Sequence, residues 1–322
     1  LAFRSEGGLP SAFYVTELAA ASIASAGLAL GEWLDPEASA AASLVVDRRL
    51  ASFWFSTSLR AQGWTPPDLW DVIAGNYRTR DGWIRLHTNA PHHRDAALQV
   101  LGVGNDRELV AAAVANWGAG ELDQAIVAAG GCAAQMRSWA DWQQHPQGIA
   151  VSREPLVLRD LQLVSAPALD IEVDRERPLV GLRVLDLTRV LAGPIATRFL
   201  AGYGAEVLRI DPPHWDEPGV VPEVTLGKSC ARLDLHQPAD RERFQALLAD
   251  ADVLVHGYRA DALDRLGFGA DVRRAIAPGL VDVSLNAYGW SGPWSERRGF
   301  DSLVQMSCGI AEVGQRWRGE DK

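Results

Sequence analysis

Hydrophobic and polar positions change texture near residue 178. Upstream, apolar residues are spaced for helices over 11–34, 38–61 and 106–128. Gly82-Trp83-Ile84-Arg85-Leu86-His87-Thr88 alternates directly after the turn pair Asp81-Gly82, which predicts a short strand. Residues 150–180 carry Pro155, Pro167 and Pro178 without a helical period and read as an extended connector. The pattern thus sets a boundary near 178, with a linker over 151–179 before it and a further domain over 180–322 after it.

Downstream, β-branched and Leu runs alternate with helical spacing. Strands are predicted at Leu182–Leu187, Glu206–Ile210, Arg232–Leu235, Asp252–Val255 and Leu280–Leu285. Helices are predicted at Ile195–Tyr203, Ala239–Ala251 and within 260–276. Such alternation predicts a parallel sheet with helices on both faces, an α/β, Rossmann-like domain beside a smaller α+β domain. Right-handed crossovers would gather Thr188–Pro194, Asp211–Pro213, His256–Arg259 and Asn286–Pro293 at one ligand-binding edge.

Composition then narrows the function. The chain has 322 residues, 48% hydrophobic and 22% charged, which excludes global disorder. A net charge of −10 argues against a nucleic-acid surface. Cys132, Cys230 and Cys308 share no short spacing, so they read as reduced thiols of a cytoplasmic protein rather than a disulfide or zinc framework. Residues 12–34 are apolar but Ala- and Ser-rich, with Glu17 inside and no basic run before them, so a packed helix is expected rather than a signal or membrane span. The chain begins without Met and stops at Lys322 in a charged stretch, and its C-terminus is expected to continue.

Few residues carry chemistry by spacing alone. No HExxH, serine elbow or phosphate-binding loop occurs, and no metal site is expected. Gly202-Tyr203-Gly204 follows the first helix instead of preceding it, so it reads as a turn rather than a dinucleotide motif. His92-His93 reads as a solvated loop. Lys228, one of only two lysines, and Arg259 lie near the predicted ligand edge and are solvated charges or phosphate contacts. Asp301 precedes the apolar pattern Ser302–Ala311. It reads as a helix N-cap, as a carboxylate nucleophile, or as both.

Together these pieces resemble the class III CoA-transferases (CaiB/BaiF type), the family that includes formyl-CoA transferase, carnitine CoA-transferase and α-methylacyl-CoA racemase. The resemblance rests on Val184-Leu185-Asp186-Leu187-Thr188-Arg189-Val190-Leu191-Ala192-Gly193-Pro194, on Gly204–Asp211, on Gly227-Lys228-Ser229 with Leu233-Asp234-Leu235, and on Ala251-Asp252-Val253 through Arg259. It continues through Leu266-Gly267, Tyr288-Gly289, Gly292-Pro293 and Asp301 with Gln305 and Gly309. Gly75-Asn76-Tyr77, Asp81-Gly82, Ala129–Cys132 and His145-Pro146 resemble the family's small domain, here placed first, so the order is expected to be permuted. The division that the resemblance implies is a helical segment over 1–70, a small domain over 71–150, the linker over 151–179 and the further domain over 180–322.

The resemblance implies an acyl-CoA:carboxylate CoA-transferase in which Asp301 forms an anhydride and then an aspartyl-CoA thioester. Coenzyme A would be part of the substrate, with no permanently bound cofactor. Arg189, Val190, Leu191 and Ala192 would pack beside CoA, Lys228 and Arg259 would face its phosphates, and Asn286 and Tyr288 would line the acyl site. It further implies an interlocked homodimer, with no nucleic-acid or membrane partner. The racemase branch has His before the matching Asp, where this chain has Phe300, which cannot transfer a proton and so favours the transferase over a racemase or epimerase. A silent CoA-binding subunit is the third reading.

Overall fold

The computed structural model describes residues 1–35, 44–55, 58–161, 174–259 and 261–319. The chain begins with β1 (Ala2–Arg4), α1 (Val15–Leu34), β2 (Val45–Asp47) and α2 (Arg48–Ser52). An antiparallel sheet and helices follow: β3 (Gly75–Arg78), β4 (Trp83–Leu86), α3 (Pro91–Leu101), α4 (Arg107–Val114), α5 (Ala119–Ala128), β5 (Ala133–Gln135), α6 (Trp139–Gln144) and α7 (Pro146–Val151). Then come β6 (Arg183–Leu187), α8 (Ala192–Gly202), β7 (Glu206–Asp211), α9 (Val221–Val224), β8 (Lys228–Arg232) and α10 (Pro238–Ala249). The series closes with β9 (Val253–His256), α11 (Ala262–Arg265), α12 (Ala270–Ile276), β10 (Val281–Ser284), α13 (Asp301–Ser307) and α14 (Ile310–Arg318). No helix among the described residues is long and apolar enough to cross a membrane.

These elements form two compact units. The first comprises 1–67, 162–258 and 262–285; the second comprises 68–161, 259–261 and 286–322. In the first, five parallel strands run in the order β10-β9-β6-β7-β8. Strand alternation sends Leu185, Leu187, Ile210 and Leu254 to one face, against Phe244, Leu248, Leu263 and Phe268 of the helical layer. Val184, Val207 and Val255 point to the other face, where Leu200 of α8 and Leu30 of α1 pack. The order places β6, the first of the five in sequence, at the centre, so the switch point lies beside the loop that follows it.

The second unit is a three-stranded antiparallel sheet, β3-β4-β5, with helices on both faces. Tyr77, Ile84, Leu86 and Ala133 face α3, α4 and α5 in one core. On the other face Cys132 and Ala134, with Trp83 and Met136 beside them, meet Leu303 and Met306 of α13.

Several expectations are corrected here. Residues 286–322, assigned by pattern to the Rossmann-like domain, fold with 68–161, because the apolar face of α13 is buried on β5 and β4. The helix expected over 106–128 is two helices, since the Asp81 carboxylate accepts the Ala119 amide at 2.7 Å and starts α5 afresh. Within the helix expected over 38–61, the described residues give β2, paired with β1, and the five-residue α2 capped by Asp47; residues 38–43 and 56–57 lie outside the described residues. The strand expected at 232–235 sits earlier, at Lys228–Arg232, in register with Val207–Asp211. Residues 162–173 of the linker also lie outside the described residues.

Candidate functional site

In the first unit, the loop after β6 is built on a buried carboxylate. Asp186 is fully enclosed and accepts from the Thr188 amide (2.9 Å), the Thr188 hydroxyl, the Thr197 hydroxyl (2.6 Å) and the Lys228 ammonium (2.8 Å). A Cβ at Gly193 would fall 2.3–2.7 Å from the Thr188 side chain, so only glycine lets α8 start this close to the strand. Lys228 corrects the sequence reading. Its side chain is 0% exposed, and its three protons go to Asp186, the Pro194 carbonyl (2.8 Å) and Thr197 Oγ1 (2.7 Å). Burial lowers its pKa, opposed by the adjacent Asp186. The ammonium fastens the loop from beneath and offers nothing to a phosphate.

The loop itself is held in a strained shape. Val190 has φ +65°, a left-handed conformation that costs a β-branched residue roughly 1–3 kcal/mol. Its amide donates to the Glu217 carboxylate at 3.0 and 3.2 Å. Glu217 is in turn fixed by Arg209, a guanidinium 1% exposed that also grips Asp211. Arg189 lies between the Trp215 ring (4.6 Å) and the Tyr258 ring (5.2 Å) and donates to the Tyr258 hydroxyl at 3.1 Å. That stack joins the loops after β6, β7 and β9, as the edge argument predicts. The Arg189 Nε and the Trp215 indole nitrogen are buried without a partner there. Leu191 and Ala192 are exposed beside them.

In the second unit, the loop after β10 is locked to the end of the small-domain segment. Asn286 closes a turn, accepting from the Gly289 amide (2.7 Å) and donating to the Gly289 carbonyl (2.8 Å). Gln147, fully buried, donates to the carbonyls of Tyr288 and Ser291 and accepts from the Trp294 amide. Glu154 accepts from the amides of Trp290 and Ser291. Tyr288 is buried, its hydroxyl 3.2 Å from Ser307, and burial raises its pKa. Expected at the acyl site, Asn286 and Tyr288 instead spend these polar groups holding the loop. Arg297 stacks 4.1 Å over Trp294 and pairs with Asp123, a buried carboxylate that Arg137 also approaches. Arg259, half-buried, acts electrostatically on Cys132 together with Arg298 and Arg297, while burial drives that thiol up to about 12.

Asp301 is exposed and is the first residue of α13, not its cap. Phe300 occupies the cap position in extended backbone, and no side chain caps the helix. The Asp301 carboxylate accepts from the Gln305 side chain at 2.7 Å and exerts attraction on Arg85 of β4. The N-cap reading is therefore corrected, because the carboxylate points to Gln305 rather than to the helix amides. Phe300 stacks on His87 at 3.7 Å and meets His93 edge-on at 5.9 Å. His93, expected in a solvated loop, is 2% exposed on α3 with both ring nitrogens unpartnered.

Burial, and then Arg85, lowers the His87 pKa to about 4; burial, and then His92, lowers that of His93 to about 3. Both groups bind protons more weakly folded than unfolded. Their contribution to stability is full above pH 6.5 and is lost as pH falls from there through 4 and 3. The expected loss is roughly 3 kcal/mol for His87 by pH 4. Urea unfolding between pH 7.5 and 4 checks it: His87→Phe should show the shallower decline, and parallel declines would refute the assignment.

Sequence reasoning missed Arg85, Glu217, Trp215 and Asp186. Arg85 left a trace, since alternation in β4 sets it on the same face as Trp83 and His87, and Asp186 stood unassigned in the run Val184–Pro194.

Comparison with known proteins gives this geometry a lineage. An acyl-CoA transferase of Gibberella moniliformis is 32% identical over 259 residues, covering 74% of this chain and 45% of that protein. The succinyl-CoA:glutarate CoA-transferase of Mus musculus is 34% identical over 44% of this chain and 36% of its own length. The acetyl-CoA:oxalate CoA-transferase of Acetobacter aceti is 36% identical over 41% of this chain and 37% of its own. The chain thus spans less than half the length of each of these relatives. Residues 179–321, which hold the Asp186 knot, the Val190 loop and Asp301, match the family model described as CoA-transferase family III.

Proposed function

We propose that the protein transfers CoA from an acyl-CoA to a carboxylic acid. The observation that carries this reading is the family III match over the segment that contains both the loop after β6 and Asp301. CoA enters as substrate. The Arg189–Ala192 loop, preset by Glu217 and Lys228, supplies its contact surface, and Arg259 is a cation for its phosphates. The Asp301 carboxylate attacks the thioester carbonyl, the C–S bond breaks, and CoA leaves as the thiolate. The thiolate then attacks the aspartyl carbon of the anhydride, which releases the donor acid and leaves an aspartyl-CoA thioester. The acceptor carboxylate repeats the sequence in reverse and takes CoA. Activation is conserved at each step, so no nucleotide is consumed. The complete protein acts as the homodimer that the family resemblance implies.

Label exchange tests the reading. The complete protein should move isotopically labelled CoA between an acyl-CoA and a free dicarboxylate without ATP. Solvent deuterium appearing at the α-carbon without an acceptor would point to a racemase instead, and CoA binding without exchange would point to a silent subunit. One observation favours a second assignment within the transferase reading: Asp301 is exposed and bonded to Gln305. In that version it positions Gln305 and Arg85, and another carboxylate carries the acyl group.

A further inference from the structure

Alternation along β4 puts Arg85 on the sheet face covered by α13, next to Asn76 of β3 and two residues from His87. Most of that face is apolar, with Trp83, Cys132, Ala134 and Met136 meeting Leu303 and Met306. A guanidinium there needs a reason.

Its environment holds it still without neutralising it. One terminal nitrogen donates to Asn76 Oδ1 at 2.9 Å, and the guanidinium carbon lies 4.7 Å from the Trp70 ring centroid. The Nε is buried and has no acceptor among the described residues. Among the described residues no carboxylate lies within ion-pair distance of Arg85. The carboxylate that acts on it from farther away is Asp301. A planar fork fixed by an amide and an aromatic face, with donors to spare, suits bidentate capture of a carboxylate.

We propose that Arg85 binds the carboxylate of the acceptor acid during CoA transfer, an inference that rests on the function proposed above. Charge balance through the reaction supplies the logic. In the resting protein the Asp301 carboxylate acts on Arg85 from beyond ion-pair distance. When its oxygen bonds the acyl carbon, the electron pair of the broken C–S bond leaves with CoA and Asp301 becomes neutral. Arg85 is then the uncompensated cation, at the stage when the acid product departs and the acceptor anion must enter. In the resting state the Asp301 charge opposes that of Arg85 and disfavours a second anion beside it. The subsite therefore opens only while the Asp301 carboxyl is covalently neutralised, as it is in the aspartyl-CoA thioester that the acceptor meets.

Two measurements on the complete protein test this. In steady-state exchange with succinate as acceptor, Arg85→Met should raise the succinate KM roughly ten- to a hundredfold, the loss of a charge-assisted pair, and leave the acyl-CoA KM within about threefold of wild type. Arg85→Lys, which keeps the charge but not the fork, should fall between. Equal rises in both KM values, or a fall in kcat alone with unchanged KM, would mean that Arg85 is only structural. The second measurement needs no turnover. Asp301→Asn mimics the neutral carboxyl, so by calorimetry it should bind succinate more tightly than wild type, and Asp301→Asn combined with Arg85→Met should lose that binding. Equal succinate binding by the single and double variants, or none by Asp301→Asn, would overturn the subsite. Absent exchange with the calorimetric pattern intact would instead remove the transferase reading and leave the carboxylate site standing.

Discussion

Lys228→Met is expected to destabilise the first unit by about 3–5 kcal/mol, the cost of stranding a buried charge. Asp186 is 0% exposed, and its only counter-charge within ion-pair distance among the described residues is the Lys228 ammonium. Methionine fills the stem's volume but leaves Asp186 with only the donors of Thr188 and Thr197. The carboxylate must then protonate or draw in water, and the close packing of Gly193 on Thr188 leaves little room for water. Removing both charges, as Lys228→Met with Asp186→Leu, should recover much of the loss, because a well-packed apolar pair replaces a buried ion pair at little cost. Denaturant unfolding followed by circular dichroism reads both variants. A single-variant loss below about 1 kcal/mol would show that the ammonium is dispensable.

Asp301→Asn is expected to do the reverse, leaving the fold and removing the activity. The side chain is exposed and caps nothing, and an asparagine oxygen still accepts from Gln305, so the melting temperature should move by only a few degrees. CoA affinity should stay within a few-fold. Exchange should fall by about three orders of magnitude or more, because an amide cannot form the anhydride. Side-by-side melting, CoA titration and label exchange separate this pattern from unfolding.

Much of the α/β unit was legible from alternation. β6, β7 and β9 fall within a residue or two of their predicted spans, because strands with two covered faces carry near-continuous Val, Leu and Ile, and the exposed edge strand β10 was found by its β-branched run alone. The second unit was legible only in pieces. Nothing in the spacing of Ser302–Ala311 says which sheet its apolar face will cover, and that partner lies more than 160 residues earlier, on β5. Helix boundaries failed where one side chain captured a distant amide, as Asp81 does at Ala119.

The candidate site was legible by position more than by role. Resemblance singled out Asp301 and the Arg189–Ala192 loop. Asn286, Tyr288 and Lys228 were singled out as well, yet burial and hydrogen-bond accounting give them supporting contacts. One of only two lysines in an arginine-rich chain looks like a phosphate contact until its acceptors are counted. Val190 could not be foreseen either, since nothing in its neighbours' identities announces a positive φ, and the carboxylate that accepts from its amide, Glu217, lies 27 residues away.

The Asp301 carboxylate is expected to carry the acyl group, and trapping reads this without any variant. Complete wild-type protein is incubated with a substrate acyl-CoA, quenched with hydroxylamine and digested for mass spectrometry. The expected product is a hydroxamate at Asp301, on the peptide that begins after Arg298, and none when acyl-CoA is omitted. A hydroxamate on another carboxylate, or no adduct with a substrate shown to turn over, would contradict it.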